Sequence, residues 1–231
     1  KPDVIVIVID TLRTDALGCY GGRDDISPTL DDLARRGVRF DRALSTSSWT
    51  VPAVASLVTG LNPEEHGVEE GGVRALEAVF QPALDERLET LAERMRAGGY
   101  ATAAVMTNPH ITEPLGFAQG FEHFIALGWA RSEQVVAAVE ETVESLDGNR
   151  PRFLWVHLFD PHHPYRPFEP PFLSLVPPDW SARNPETRPG ALAWQLAGQS
   201  IAELESRDDL REGGGNLPIL RAAYDSEVSH T

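Results

Sequence analysis

Three kinds of residue in this chain can do chemistry together: an aspartate at a strand end, a threonine at a helix start, and a pair of adjacent histidines. Asp10 closes the apolar run Val4-Ile5-Val6-Ile7-Val8-Ile9. A carboxylate there either makes a turn or gives one oxygen to a hard cation, which needs several such ligands. Thr50 opens the run Thr50-Val51-Pro52-Ala53-Val54 at an N-cap position, with Pro52 suited to a first helical turn. Its hydroxyl either caps the helix or faces the positive end of the dipole beside free N–H groups. The second arrangement suits attack on a tetrahedral oxyanion, such as a phosphate or sulfate ester. In Asp160-Pro161-His162-His163-Pro164-Tyr165, prolines hold the two histidines rigidly. Either histidine can bind an oxyanion or protonate a leaving group; the alternative is a polar loop. His66 follows the Thr50 segment closely and contacts the same site or caps a turn.

These residues need elements that bring them together. Val4–Ile9 is continuous and β-branched, the pattern of a strand buried on both faces in the centre of a parallel sheet. Ligands gather beyond the carboxyl ends of such strands, where Asp10 stands. A helix starts at Ser27-Pro28-Thr29 and stops at Gly37, and Val38 to Ala43 reads as a strand. Thr50 to Val58 reads as a helix stopped by Gly60. Leu84 to Ala97 is amphipathic and ends at Gly98-Gly99. Tyr100 to Met106 is the next strand. Ser132 to Leu146 is a helix with Val135, Val136, Val139 and Val143 inward. Phe153 to Phe159 is another buried strand, ending in Asp160. Strands alternating with helices predict an α/β fold: a doubly wound, mainly parallel sheet flanked by helices. From Pro164 to Gly215 proline and glycine are dense and periodicity fades, so 164–215 reads as a long insertion within a single domain over 1–231. A helix is expected inside it at Ala191 to Leu204, and another after it at Leu217 to Val228.

The chain has 231 residues, 42% hydrophobic and 24% charged, which suffices for a core and excludes disorder throughout. Its mean hydropathy is −0.24. No apolar run approaches the roughly 20 residues of a membrane helix. There are 20 Lys+Arg against 35 Asp+Glu, for a net charge of −15. Nothing supplies the basic face that a nucleic-acid binder needs, so no nucleic-acid partner is expected. A local cationic pocket made by a divalent metal remains compatible with that balance. The single cysteine, Cys19, excludes an intrachain disulfide and a multi-cysteine zinc site. No signal peptide is visible, and both cytoplasmic and secreted or periplasmic locations stay open.

An ordered series of motifs makes the chain resemble the sulfatase family of the alkaline phosphatase superfamily. The series runs Ile9-Asp10-Thr11-Leu12-Arg13, Leu17-Gly18-Cys19-Tyr20-Gly21 and Ser27-Pro28-Thr29-Leu30-Asp31-Asp32-Leu33-Ala34. It continues with Trp49-Thr50 to Gly60, Pro63 to Gly67, Gly99-Tyr100-Ala101-Thr102-Ala103, Gly116-Phe117-Ala118-Gln119-Gly120-Phe121, Phe153 to Tyr165 and Tyr224-Asp225-Ser226-Glu227-Val228.

The resemblance implies that Asp10 is a metal ligand and that Thr50 is a nucleophile bound to the same metal through its side-chain oxygen. His162 would contact the substrate oxyanion or leaving group. Thr11 stands where many members have a second aspartate and joins Asp10 and Thr50 as the expected metal set. Asn108, His162 and His163 form the expected substrate-binding set. The cofactor would be a divalent ion: Ca, Mg, Mn or Zn. Formylglycine-forming sulfatases have a Cys/Ser-x-Pro-Ser-Arg run, whereas here the run is Thr50-Val51-Pro52-Ala53-Val54. Threonine cannot be converted to formylglycine, although threonine nucleophiles occur in the wider superfamily. The family's later metal-ligand pair lies beyond the point corresponding to Val228, so an N-terminal portion is expected. The resulting expectation is a metal-dependent hydrolase of sulfate or phosphate esters, with a small-molecule, glycan or lipid ester as substrate. The alternatives are a phosphoryl-group transferase resembling the phosphoethanolamine transferases, or a non-catalytic sulfatase-like binding protein.

Overall fold

The computed structural model describes residues 1–69, 83–165, 172–184, 188–197, 199, 203–204, 206–210 and 215–229. Four parallel strands form one sheet: β1 (Val4–Ile9), β2 (Ala101–Met106), β3 (His123–Ala126) and β4 (Arg152–Leu158), in the order β1-β4-β2-β3. Strand alternation divides the side chains of the two central strands between two faces. Ala104, Met106, Phe153 and Trp155 pack on one face with Val51, Val54, Ala55 and Val58 of the helix Thr50–Thr59. Ala101, Ala103, Val105, Leu154, Val156 and Leu158 pack on the other, where the helix Ser132–Ser145 brings Val135, Val139 and Val143. Helices on both faces of a parallel sheet are the doubly wound arrangement expected from the alternation of elements.

Contacts divide the chain into two compact units, one of Lys1–Asp10 with Asp41–Phe159 and one of Thr11–Phe40 with Asp160–Thr231. The first holds the sheet. The second is helical, with its own core of Leu17, Phe172, Trp180, Leu196, Ile219 and Tyr224 among others. Its helices among the described residues include Pro28–Arg36, Phe172–Leu175, Pro178–Arg183, Pro189–Ala197 and Leu217–Val228. The Pro/Gly-rich stretch therefore contains ordered helices. Trp180 anchors one of them by donating its indole N–H to the Gly215 carbonyl at 2.7 Å. The Leu217–Val228 helix keeps its expected bounds. Of the expected Ala191–Leu204 helix, the part after Ala197 lies mostly outside the described residues.

Four local expectations are corrected. β1 is not central: among the described residues it pairs with β4 alone. Val4, Val6 and Val8 pack on the core, whereas Ile5 and Ile7 are 61% and 59% exposed. Val38 to Ala43 is not a strand, since among the described residues no strand pairs with it, and Val38 and Phe40 are exposed. The amphipathic helix begins at Leu91 rather than Leu84, because Thr90 and Glu93 form a capping box that fixes its start. Val136 points outward. The short strand β3 was not anticipated; its His123-Phe124-Ile125-Ala126 is too brief to show periodicity.

The second unit holds the segment that follows Asp10. Thr11 has φ 55, and its carbonyl accepts a 3.1 Å hydrogen bond from the Tyr224 hydroxyl. The same hydroxyl accepts the Arg13 backbone N–H at 2.8 Å. Further on, the Asp31 carboxylate accepts the Cys19 N–H at 2.7 Å. A Cβ at Gly18 would lie 2.4 Å from Oδ2 of Asp31, so a larger residue there would have to displace that carboxylate.

Candidate active site

Parallel pairing sets up the site in the sheet-bearing unit. The register places Val8 opposite His157 and Ile9 opposite Leu158, and on the other side of β4 it places Met106 opposite His157. The residues just past these strands therefore emerge together at the carboxyl edge. Asp10 extends the ladder by one bond, its N–H donating to the Leu158 carbonyl at 2.9 Å. Its side chain is buried.

Three side chains face the Asp10 carboxylate. The Thr50 hydroxyl lies 3.3 Å from both Oδ1 and Oδ2. Asn108 donates from Nδ2 to Oδ2 at 3.0 Å. His157, fully buried on β4, places Nε2 4.0 Å from Oδ2. Thr107 braces that histidine. Its hydroxyl donates to the His157 carbonyl at 2.7 Å and lies 3.3 Å from Nδ1. Because the hydroxyl proton is committed to the carbonyl, Nδ1 is the donor in the second contact.

Thr50 proves to be the first residue of its helix and not its cap. Trp49 is the N-cap, in extended backbone, without a side-chain cap bond. The Thr50 hydroxyl thus turns to Asp10, leaving the first-turn N–H groups at the positive end of the helix dipole beside it. Asn108 holds the opposite wall at φ 87, a left-handed backbone that asparagine tolerates better than most residues. Its Oδ1 accepts the His110 N–H at 3.0 Å, and its own N–H donates to the Gly128 carbonyl at 2.8 Å.

Of the residues singled out in the sequence, Asp10, Thr50 and Asn108 come together. Thr11, His162 and His163 belong to the helical unit. There Nδ1 of His162 lies 2.5 Å from the His163 carbonyl, and the His163 ring meets Tyr165 edge-on. Burial, then the neighbouring His162, lowers the His163 pKa. His66 is structural: Val68 donates its N–H to Nδ1 at 3.1 Å, so Nε2 carries the proton and binds the Ser56 hydroxyl at 3.0 Å. Burial lowers its pKa and keeps this neutral tautomer. Sequence reading missed His157, Thr107 and His110. His157 lies inside an apolar strand, where its polarity was the one available signal.

The sulfatase family model matches residues 2–210. An N-acetylglucosamine-6-O-sulfatase of Bacteroides thetaiotaomicron is 24% identical over 190 residues, spanning 72% of this chain and 32% of that protein. Human arylsulfatase D is 30% identical over 139 residues, 55% of this chain and 23% of its own. The chain thus spans about a quarter to a third of these curated relatives. The crystal structure of a phosphonate monoester hydrolase of Agrobacterium radiobacter superposes with a TM-score of 0.67 at 21% identity, covering 100% of this chain and 57% of that one. The family match over most of the chain agrees with the parallel sheet and its helices: this chain belongs to the sulfatase family.

Proposed function

We propose that this chain carries the nucleophile side of a metal-dependent hydrolase of sulfate or phosphate esters, with Thr50 as nucleophile and Asp10 as metal ligand. The observation that carries the reading is the Thr50 hydroxyl set 3.3 Å from both oxygens of a buried carboxylate. Two oxygens bound to one cation at about 2.0–2.6 Å and near right angles lie roughly 2.8–3.7 Å apart, so the pair fits the bite of a divalent ion. Among the described residues no group of three His, Cys, Asp or Glu is placed to hold a metal ion, and Asp10 and Thr50 are proposed as two donors of a larger set. An oxygen-rich set favours Mg, Ca or Mn, and the nearby His157 nitrogen extends the choice to Zn.

A bound divalent ion would lower the pKa of the Thr50 hydroxyl and offset charge on the ester oxygens. The chain's own residues do the rest. Asp10 is the acceptor nearest the Thr50 proton. Asn108 fixes the carboxylate by donating to its Oδ2, so that it stays aimed at Thr50. The Thr50–Thr59 helix directs its N-terminal dipole at the oxyanion, and Thr50 Oγ1 attacks in line. His162 and His163 are the proposed contacts to the leaving group and the remaining ester oxygens. Thr11 is proposed as a third metal ligand.

Relatives support both halves of the substrate class. Two curated relatives are named as sulfatases of an amino sugar and of aryl esters, and the structural neighbour is named as a phosphonate monoester hydrolase. Thr50, which cannot become formylglycine, favours phosphoester or phosphodiester substrates over sulfates. Aryl phosphate diesters and aryl sulfates offered side by side, with Mg²⁺, Ca²⁺, Mn²⁺ or Zn²⁺, test this. Thr50→Ser should stay within about tenfold of wild type, and Thr50→Ala should lose at least about a thousandfold. Full activity in Thr50→Ala would remove the mechanism.

A further inference from the structure

The helical unit holds a cavity of about 180 Å³ that the chemistry above does not use. One face of the Leu217–Val228 helix lines it. Leu217, Leu220, Arg221, Tyr224 and Asp225 fall at positions i, i+3, i+4, i+7 and i+8, which a 3.6-residue period stacks along one side. Arg13, Asp15, Ala16 and Tyr165 complete the lining. The volume gives room for a small organic molecule rather than for a lone water.

The polar groups of the lining divide into those that are satisfied and those that are not. Arg13 and Asp15 satisfy each other, with Arg13 donating from Nε to Oδ1 at 2.8 Å and from Nη2 to Oδ2. Tyr224 commits its hydroxyl to the Arg13 N–H and the Thr11 carbonyl. Arg221 and Asp225 are left over. They stand four apart on one helix, yet among the described residues neither side chain makes a hydrogen bond or an ion pair. At the same spacing Asp32 pairs with Arg36 at 2.6 Å and Asp179 with Arg183 at 2.7 Å. Those pairs place the acid first, the favourable order on a helix; Arg221 precedes Asp225, the weaker one. Burial meanwhile pushes the Asp225 carboxyl up to about 6, the mark of a group shielded from water without a partner of its own.

We propose that this cavity binds a small zwitterion, an α-amino acid with a compact apolar side chain. The ligand carboxylate takes the guanidinium fork of Arg221. Its ammonium takes Asp225 beside the rings of Tyr165 and Tyr224, which meet edge-on at 5.6 Å. Its side chain lies on Leu217, Leu220 and Ala16. A simple anion would bring its charge up to Asp225, and a simple cation would bring its charge up to Arg221. A ligand that carries both charges meets each with its opposite. The site makes no use of Asp10 or Thr50 and stands whether or not an ester is cleaved there.

The test uses three probes that share one alkyl group: L-valine with both charges, isobutylamine with the ammonium alone, and isovalerate with the carboxylate alone. Each is titrated into the whole chain above the Asp225 pKa of about 6, so that the carboxylate is ionised, and binding is followed by calorimetry and by backbone amide NMR shifts. Valine should bind at least about tenfold more tightly than either single-charge probe. Asp225→Asn should weaken valine at least about tenfold and leave isovalerate as tight or tighter. Arg221→Gln should weaken valine by as much and leave isobutylamine as tight or tighter. Arg221 is exposed, so its variant keeps the fold and decides the matter should Asp225→Asn fail to fold. The valine-induced shifts should fall on Arg13 to Ala16 and Leu217 to Asp225. No binding of any probe up to about 10 mM, valine no tighter than both single-charge probes, shifts confined to other residues, or valine binding that neither variant weakens overturns the proposal.

Discussion

Replacing Asp225 by asparagine should stabilise this protein at neutral pH and leave it unchanged in acid. Asp225 lies on the Leu217–Val228 helix and lines a cavity of about 180 Å³ together with Arg13, Asp15, Tyr165, Arg221 and Tyr224. Burial raises its carboxyl from the ordinary 3.8 to about 6; Arg23, Arg221 and Arg13 oppose the rise, and Asp15 adds to it. The sign follows from linkage. A folded-state pKa above the unfolded one means that folding disfavours the ionised form. Above about pH 6 the group is charged in both states, and the full penalty applies. Between about 6 and 3.8 the folded protein takes up a proton that the unfolded chain does not, and the penalty fades. Below 3.8 it is gone.

At ~1.36 kcal/mol per pH unit, the interval from 3.8 to about 6 sets a ceiling near ~3 kcal/mol. Asp225 is only partly shielded, so solvent screening brings the expected gain to about 1–2 kcal/mol. Urea unfolding of wild type and Asp225→Asn at about pH 7.5 and again near pH 3.5 measures it. The variant should have the higher midpoint at the first pH and the same midpoint at the second, with equal slopes. A variant less stable at pH 7.5 would refute the reasoning, because it would show that attraction to the three arginines outweighs the burial of the charge.

Tyr224→Phe removes the hydroxyl that accepts the Arg13 N–H and donates to the Thr11 carbonyl; it should cost about 1–3 kcal/mol in urea unfolding. His66 is held neutral by burial, so its folded pKa lies below the unfolded value of about 6.5. Stability should therefore fall as the pH drops below about 6.5, where the unfolded chain binds a proton that the folded one refuses. His163 shifts the same way. His66→Gln should flatten that slope in a pH series of unfolding midpoints. Asn108→Asp keeps the side-chain shape and tolerates φ 87, but it removes the donor to Asp10 and sets a second carboxylate beside it. It should destabilise by about 2–3 kcal/mol at neutral pH and recover in acid, read by the same midpoints.

The parts of the fold legible in the sequence were those set by local chemistry. Pro28 and Gly37 bracket a helix, and Gly60 in left-handed conformation stops the one that starts at Thr50. Both central strands, β2 and β4, are apolar on both faces because both faces are covered. β1 has the same composition, yet it lies at an edge with Ile5 and Ile7 exposed. Strand order is set by which neighbours pair, and composition does not encode it. Val38 to Ala43 fails for a related reason: β-propensity needs a partner strand. In the site, Asp10 and Thr50 were visible as a strand end and a helix start. His157 and Thr107 were not, because their roles depend on the register that sets Met106 opposite His157.

Stability alone gives no account of the Asp10 site. A buried carboxylate needs strong partners, yet Asp10 is met by neutral donors, the amide of Asn108 and the hydroxyl of Thr50. The hydroxyl sits at 3.3 Å from each oxygen, long for an O–H···O bond. Asn108 adds a left-handed backbone, a conformation that is itself unfavourable outside glycine. The arrangement thus combines a buried carboxylate, a long contact and a left-handed residue at the carboxyl edge of the sheet. An apolar residue at position 10 would relieve the first two and would fit a strand end. On the proposed reading, the compensation lies in what the site would bind. A divalent ion between Asp10 and Thr50 would neutralise the charge and turn the long contact into a shared coordination. The Thr50 hydroxyl would then be placed as a nucleophile by the same geometry that makes it a poor hydrogen-bond donor.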